Sequence, residues 1–164
     1  MLIGVVSDTH IPKRAKRLPA ALLEGLREVE LILHCGDWSA EEAYRALSAI
    51  APVYGVAGNT DGPDLVARFG WRQVVETGGL RIGIVHGHAG VGKTTPDRAY
   101  GAFADDPPDA VVFGHSHVPF LARRDGTLLF NPGSPTDKRR QSRYSFGLLA
   151  AAGGKAEARH VYFD

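Results

Sequence analysis

At 164 residues, 44% of them hydrophobic, the chain is long enough to bury its own core and has the size of one domain, residues 1–164. A formal net charge of +1 excludes the broad basic field on which binding to a nucleic-acid polymer relies, and the single cysteine, Cys35, excludes an internal disulfide and paired-cysteine zinc or redox motifs. No apolar run is long enough to span a bilayer, and Met1 to Val6 reads as a strand rather than a leader, so a cytoplasmic protein with no membrane partner is expected.

The first apolar, β-branched run, Leu2 to Ser7, predicts a buried strand that leads into Asp8-Thr9-His10; strand periodicity would put Asp8 and His10 on one face. The basic run Lys13 to Arg17 reads as a solvated turn, with phosphate steering as the alternative. A helix follows, with Pro19 near its start and Leu18, Leu22, Leu26 and Val29 as its buried stripe. Leu31 to Leu33 is a second strand, ending in His34-Cys35-Gly36-Asp37, where His34 reads as a hydrogen-bonded core residue and Cys35 as a small buried hydrophobe. Ser39 with Glu42 has the form of a capping box opening a helix with Ala43, Leu47 and Ile50 inward. Pro52 to Val56 is the third strand and ends in Gly58-Asn59-Thr60-Asp61.

After a short apolar segment at 64–69, strands are expected at Arg72 to Glu76 and Leu80 to Val85 around the Gly78-Gly79 turn, the second ending in His86-Gly87-His88. Thr95 as cap and Pro96 in the first turn open a helix carrying Ala99, Tyr100 and Phe103, and the run at 110–114 ends in His115-Ser116-His117. Beyond it, Asp125-Gly126 and Gly153-Gly154 mark two hairpins, and Asn131-Pro132-Gly133-Ser134 reads as a turn at a strand end. Alternating strands and helices followed by hairpins predict α/β layers with a mixed or second sheet.

Five strand ends thus deliver polar residues: Asp8 and His10, Asp37, Asn59, His86 and His88, His115 and His117. In α/β sheets that edge is where ligands bind, and mixed oxygen and nitrogen donors suit manganese, iron, zinc, cobalt or nickel better than magnesium or calcium. The donors are too many for one ion; a second ion about 3.5–4 Å away, sharing a carboxylate, would use them all, as in phosphoester hydrolases.

Ser-Asp8-Thr-His10, Gly36-Asp37, Gly58-Asn59, His86-Gly87-His88 and Gly114-His115-Ser-His117 resemble, in order and spacing, the motif series of calcineurin-like metallophosphoesterases. The short length, Gly-Asn-Thr-Asp at 58–61 and Asn131 to Ser134 look like its small prokaryotic YfcE-type phosphodiesterases. The resemblance implies an α/β four-layer αββα sandwich, two mainly mixed β-sheets flanked by helices. It implies a first ion held by Asp8, His10 and His117, a second by Asn59, His86 and His115, and Asp37 as the bridge, with manganese in first place and nickel, iron, cobalt or zinc after it. A metal-bound hydroxide would attack a small phosphate-ester substrate, with Asp37 and Asn59 among the catalytic residues. His88 reads either as a solvated rim residue or as a third catalytic residue that contacts the substrate. Many larger members carry histidine directly after the asparagine, where it can protonate the leaving group; here Thr60 stands there, so Asp61, His88 or a metal-bound water would have to substitute.

Two other readings compete. Residues 87–94 satisfy the Walker A expression, between an expected strand and an expected helix, but no later apolar run ends in the aspartate a nucleotide-binding site needs. A scaffold or binding module could use the same fold without chemistry, as the retromer scaffold subunit does; the filled set of ligand positions favours an enzyme. Lys138, Arg139, Arg140 and Arg143 form a second basic cluster, read as solvated, with phosphate recruitment as the alternative.

Overall fold

Period-two burial sorts the strands into two sheets packed face to face. The computed structural model describes residues 1–164, with the elements β1 (Leu2–Val6), α1 (Ala20–Gly25), β2 (Leu31–His34), α2 (Glu41–Ser48), β3 (Val53–Gly55), α3 (Pro63–Phe69), β4 (Arg72–Thr77), β5 (Leu80–Val85), α4 (Thr95–Gly101), β6 (Ala110–Val112), β7 (Phe120–Arg124), β8 (Thr127–Asn131), β9 (Tyr144–Ala152) and β10 (Lys155–Phe163). One sheet has the order β10-β9-β1-β2-β3, the other β4-β5-β6-β8-β7. Each contains three parallel strands (β1, β2 and β3; β5, β6 and β8); antiparallel β9 and β10 extend the first on one side, where β3 is the other edge, and antiparallel β4 and β7 form both edges of the second. Ile3 and Val5 of β1, Leu31 and Leu33 of β2, Ala110 and Val112 of β6, and Leu128 and Phe130 of β8 point between the sheets and form the central core.

Intervening residues point outward under helices. Val6 and Ile32 meet Leu22, Leu26, Leu47, Trp38 and Leu65 on one side, while Val111, Phe113 and Leu129 meet Ala99 of α4 and Phe103 just past its end on the other. This is the expected αββα layering. Each fully buried Leu or Ile in these layers contributes about 1.5–3 kcal/mol, so the helices are held by the sheets more than by their own short hydrogen-bond ladders. No helix is long and apolar enough to cross a membrane.

Local expectations were revised at three places. The Ser39 capping box does not form: α2 starts at Glu41 behind Ala40 with no side-chain cap, and Ser39 instead has φ 71° and donates its N–H to Asp61. The cap of α4 is Thr94, not Thr95; Thr94 Oγ1 accepts the Asp97 N–H at 3.2 Å, placing Pro96 at the second helical position, where a missing N–H costs nothing. The apolar segment after Gly62 is helix α3, with Pro63 at its first position.

Candidate metal centre

Parallel strands in both sheets end on the same edge, and the chain turns sharply just past each end. Asp8, His10, Asp37, Ser39, His115 and His117 all have φ between 46° and 72°, a region costly for residues other than glycine. Asp8 and His10, and His115 and His117, therefore do not share a strand face as expected, because β1 ends at Val6 and β6 at Val112. They meet through left-handed turns instead. Backbone bonds from Asp8 N–H to Gly36 O (3.0 Å) and His10 N–H to Asp37 O (3.1 Å) hold the first two turns together. The His115 N–H to Asp8 Oδ2 (3.0 Å) and His86 Nδ1 to Cys35 O (2.7 Å) tie one sheet's edge to the other's.

The result is a cluster of buried atoms with nothing to bond. Asp8 Oδ1 and the Nε2 atoms of His10, His86 and His117 are inaccessible to solvent and lack hydrogen-bond partners. The three nitrogens lie 3.9, 3.7 and 3.5 Å from Asp8 Oδ1. Asp37 Oδ2 is 3.6 Å from His10 Nε2 and 3.2 Å from His86 Nε2. Donors at about 2.1 Å around a shared cation sit about 3–3.5 Å from one another, so this spacing fits ligation better than direct hydrogen bonding. Two groups could each hold a metal ion, Asp8 with His10 and His117, and Asp8 with Asp37 and His86. Asn59 and His115 stand beside them, with His115 Nδ1 3.2 Å from Asn59 Oδ1 and its ring 5.2 Å from that of His86. His88 packs 5.4 Å from His86 and 5.5 Å from the half-exposed Trp71, its Nδ1 buried without a partner.

A surrounding layer of contacts aims these donors. A carbonyl can only accept, so the bond to Cys35 O places a proton on His86 Nδ1 and turns Nε2 inward; the bond from His117 Nδ1 to Asp137 O does the same there. Ser134 and Thr136, past the end of β8, donate to the Asp8 carbonyl at 2.8 and 3.2 Å. Asn131 donates to Gly114 O and Ser116 Oγ. Thus 131–134 is a buttress beneath the site as well as a turn. Asp61 accepts three backbone N–H groups, from Asp37 (2.9 Å), Gly58 (2.8 Å) and Ser39 (2.9 Å), which occupies both its oxygens, while burial pushes its carboxyl up. Sequence reasoning missed Thr136 and Asp137 entirely, since only a long-range contact marks them.

Charge follows from this packing. Burial pushes the Asp8 carboxyl up, but His86 and His117 outweigh it and hold the group below its usual value. Burial is likewise outweighed at Asp37 by His86 and the Thr60 N–H, holding it well below the carboxylate range. At His86 burial disfavours the cation, yet Asp8 and Asp37 lift the pKa to about 9. Two buried carboxylates demand a positive charge between them, and a proton on His86 or a divalent cation meets that demand.

A calcineurin-like phosphoesterase superfamily domain matches residues 1–154. The chain belongs to that family. A probable metallophosphoesterase of Methanothermobacter thermautotrophicus is 38% identical over 140 residues, 83% of this chain and 78% of that one. An archaeal phosphodiesterase structure superposes with a TM-score of 0.73 at 25% identity, covering 99% of this chain and 100% of the other. Vps29 of Chaetomium thermophilum has the same fold, with a TM-score of 0.82 at 24% identity over 99% of this chain and 97% of that one.

Within this calcineurin-like phosphoesterase domain the Walker-type loop has the wrong polarity for phosphate. The Arg98 guanidinium fills it, donating to Gly87 O (2.8 Å), Gly92 O (3.3 Å) and Thr95 Oγ1 (3.1 Å), so carbonyls rather than N–H groups face inward. Lys93 is exposed. His34 is a core residue, bonded to Thr9 Oγ1 and the Gly36 N–H and stacked 3.6 Å from Trp38, and burial drops its pKa to about 3. Cys35 is buried and burial raises its thiol pKa, which leaves it inert as a nucleophile.

Proposed function

We propose that this protein is a metal-dependent phosphodiesterase that hydrolyses small phosphate esters at a dinuclear centre. The observation that carries the reading is the set of four unbonded, buried donor atoms, with Asp8 Oδ1 set among three imidazole nitrogens. Asp8, His10 and His117 would hold one divalent cation. His86, with Asn59 and His115 once these release each other, would hold the second. Asp37 Oδ2, within 3.6 Å of donors in both groups, takes the bridging position. Manganese is the first choice, then nickel, iron, cobalt or zinc.

Bound there, the cations would supply Lewis-acid charge to the phosphoryl oxygens and an activated water at neutral pH. The chain's own residues do the rest. Cys35 O and Asp137 O keep the His86 and His117 rings from turning, so the donor geometry needs no reorganisation during reaction. Asn59, at the exposed mouth, faces the substrate. His88, whose ring packs beside those of His86 and Trp71, would pass a proton to the departing oxygen, the role for which Thr60 is chemically unsuited. The family relationship and the likeness to a solved phosphodiesterase support this reading.

The test is hydrolysis of bis(p-nitrophenyl) phosphate by purified protein supplied in turn with each of the five ions. Turnover that a chelator abolishes and Asp37→Ala removes, with the fold kept by circular dichroism, is expected. No turnover with any of the five overturns the assignment and favours a scaffold role.

A further inference from the structure

The two basic clusters of the sequence converge beside the metal centre. Arg14 Nε reaches Asp137 Oδ2 at 3.3 Å, joining the 13–17 turn to the 137–143 loop. Thr136 Oγ1 fastens that loop to Thr9 O at 2.6 Å. Immediately past it, Ser116, Val118, Lys138, Arg139, Arg140 and Gln141 line an open cleft of about 410 Å³. Ser116 lies between His115 and His117 in the chain, so one wall of the cleft stands about 3.8 Å, Cα to Cα, from each of them.

Three consecutive cations here, Lys138, Arg139 and Arg140, have no carboxylate within ion-pairing distance, although Arg14 and Arg143 on either side do. The nearest acid, Asp137, is already committed to Arg14 and lends its carbonyl to His117. Arg139 holds a left-handed φ of 50° while donating to the His115 carbonyl at 3.3 Å, a costly conformation that keeps its guanidinium against the site. Lys138 is propped over the Tyr144 ring at 4.9 Å, and Arg140 is exposed. Three unneutralised cations thus line one cleft, next to where a phosphate would be cleaved.

We propose that this cleft binds a second phosphate of the substrate, a few bonds from the scissile one, so that the preferred esters carry two phosphates. The proposal rests on the phosphodiesterase reading for the first of them. Guanidinium groups match phosphate oxygens in pairs, and Lys138 adds a point charge.

The test compares thymidine 5′-(p-nitrophenyl phosphate) with its 3′-phosphorylated analogue, which differs only in the second phosphate and releases the same p-nitrophenol. The wild-type protein with manganese should show a KM at least tenfold lower for the 3′-phosphorylated ester at low salt, and 0.5 M sodium chloride should erase most of the difference (Debye length of roughly 4 Å). Lys138→Gln/Arg140→Gln should remove the advantage and leave the other ester's kinetics unchanged, with Arg140→Gln alone intermediate. Equal KM values in the wild type, or an advantage that survives in the double variant, overturn the proposal. Should neither ester be cleaved, the hydrolase reading fails by itself, and calorimetric titration of chelator-treated protein decides the cleft. Tighter binding of thymidine 3′,5′-bisphosphate than of thymidine 5′-phosphate, lost in the double variant, supports it; equal binding overturns it.

Discussion

Replacing Asp61 with Ala removes a carboxylate that, with Asp37, ties the segments past β2 and β3 together. Its two oxygens accept the N–H groups of Asp37, Gly58 and Ser39 at 2.8–2.9 Å, and these donors have no other partner once it is gone. A hydrogen bond to a charged group is worth about 1.5–3 kcal/mol, so three of them, discounted for water reaching this half-buried loop, come to about 3–4 kcal/mol. With m of about 2 kcal/mol/M, the urea midpoint should fall by about 1.5–2 M. Asp61→Asn keeps one carbonyl oxygen for the Asp37 and Gly58 donors but turns its amide NH₂ toward Ser39, so about 1–2 kcal/mol should be lost. The measurement is urea unfolding of chelator-treated protein, followed by far-ultraviolet circular dichroism. A loss below about 1 kcal/mol for Asp61→Ala, or the same loss for both variants, would refute the clamp.

Chelator-treated protein supplied with manganese at a hundred times its dissociation constant should gain about 2.7 kcal/mol of unfolding free energy, and Asp37→Ala should lose most of that gain, as thermal or urea unfolding will report. His34 is neutral in the fold with a pKa of about 3, and the unfolded chain takes up its proton near pH 6.5, so stability falls as pH drops between these values. Between pH 7 and 5 this amounts to about 2 kcal/mol, which His34→Gln should remove from the difference in urea midpoints. A Cβ at Gly114 would run into the Ser7 hydroxyl and Asp8 Oδ2; Gly114→Ala should weaken metal binding by about 10–100-fold, read by calorimetry. Lys93→Ala should change neither hydrolysis nor stability by more than about 0.5 kcal/mol, since the exposed side chain has no partner.

Local chemistry made much of this protein legible. Runs such as Leu2 to Val6 and Leu31 to Leu33 are strands because β-branched and apolar side chains fill both faces of a buried sheet, and the polar residues that follow stand out against them. That contrast picked out Asp8, His10, Asp37, His86 and His117, and the fold gathers all five around Asp8 Oδ1 and Asp37 Oδ2. Where a local signal competes with a tertiary bond the sequence misleads: Ser39 looked like a helix cap, but its N–H is taken by Asp61, 22 positions away.

The sequence by itself determined the strands, the turns between them and the kinds of donor at their ends, because each follows from side-chain shape and spacing over a few residues. Only the tertiary structure decided which strands share a sheet, that Thr136 would brace Asp8 and Asp137 would aim His117, and that two distant basic runs would meet at one cleft. Those pairings join residues as far apart in the chain as Leu2 of β1 and Ala150 of β9. They are settled by how two sheets bury their shared faces, an energy that no local stretch of chain contains.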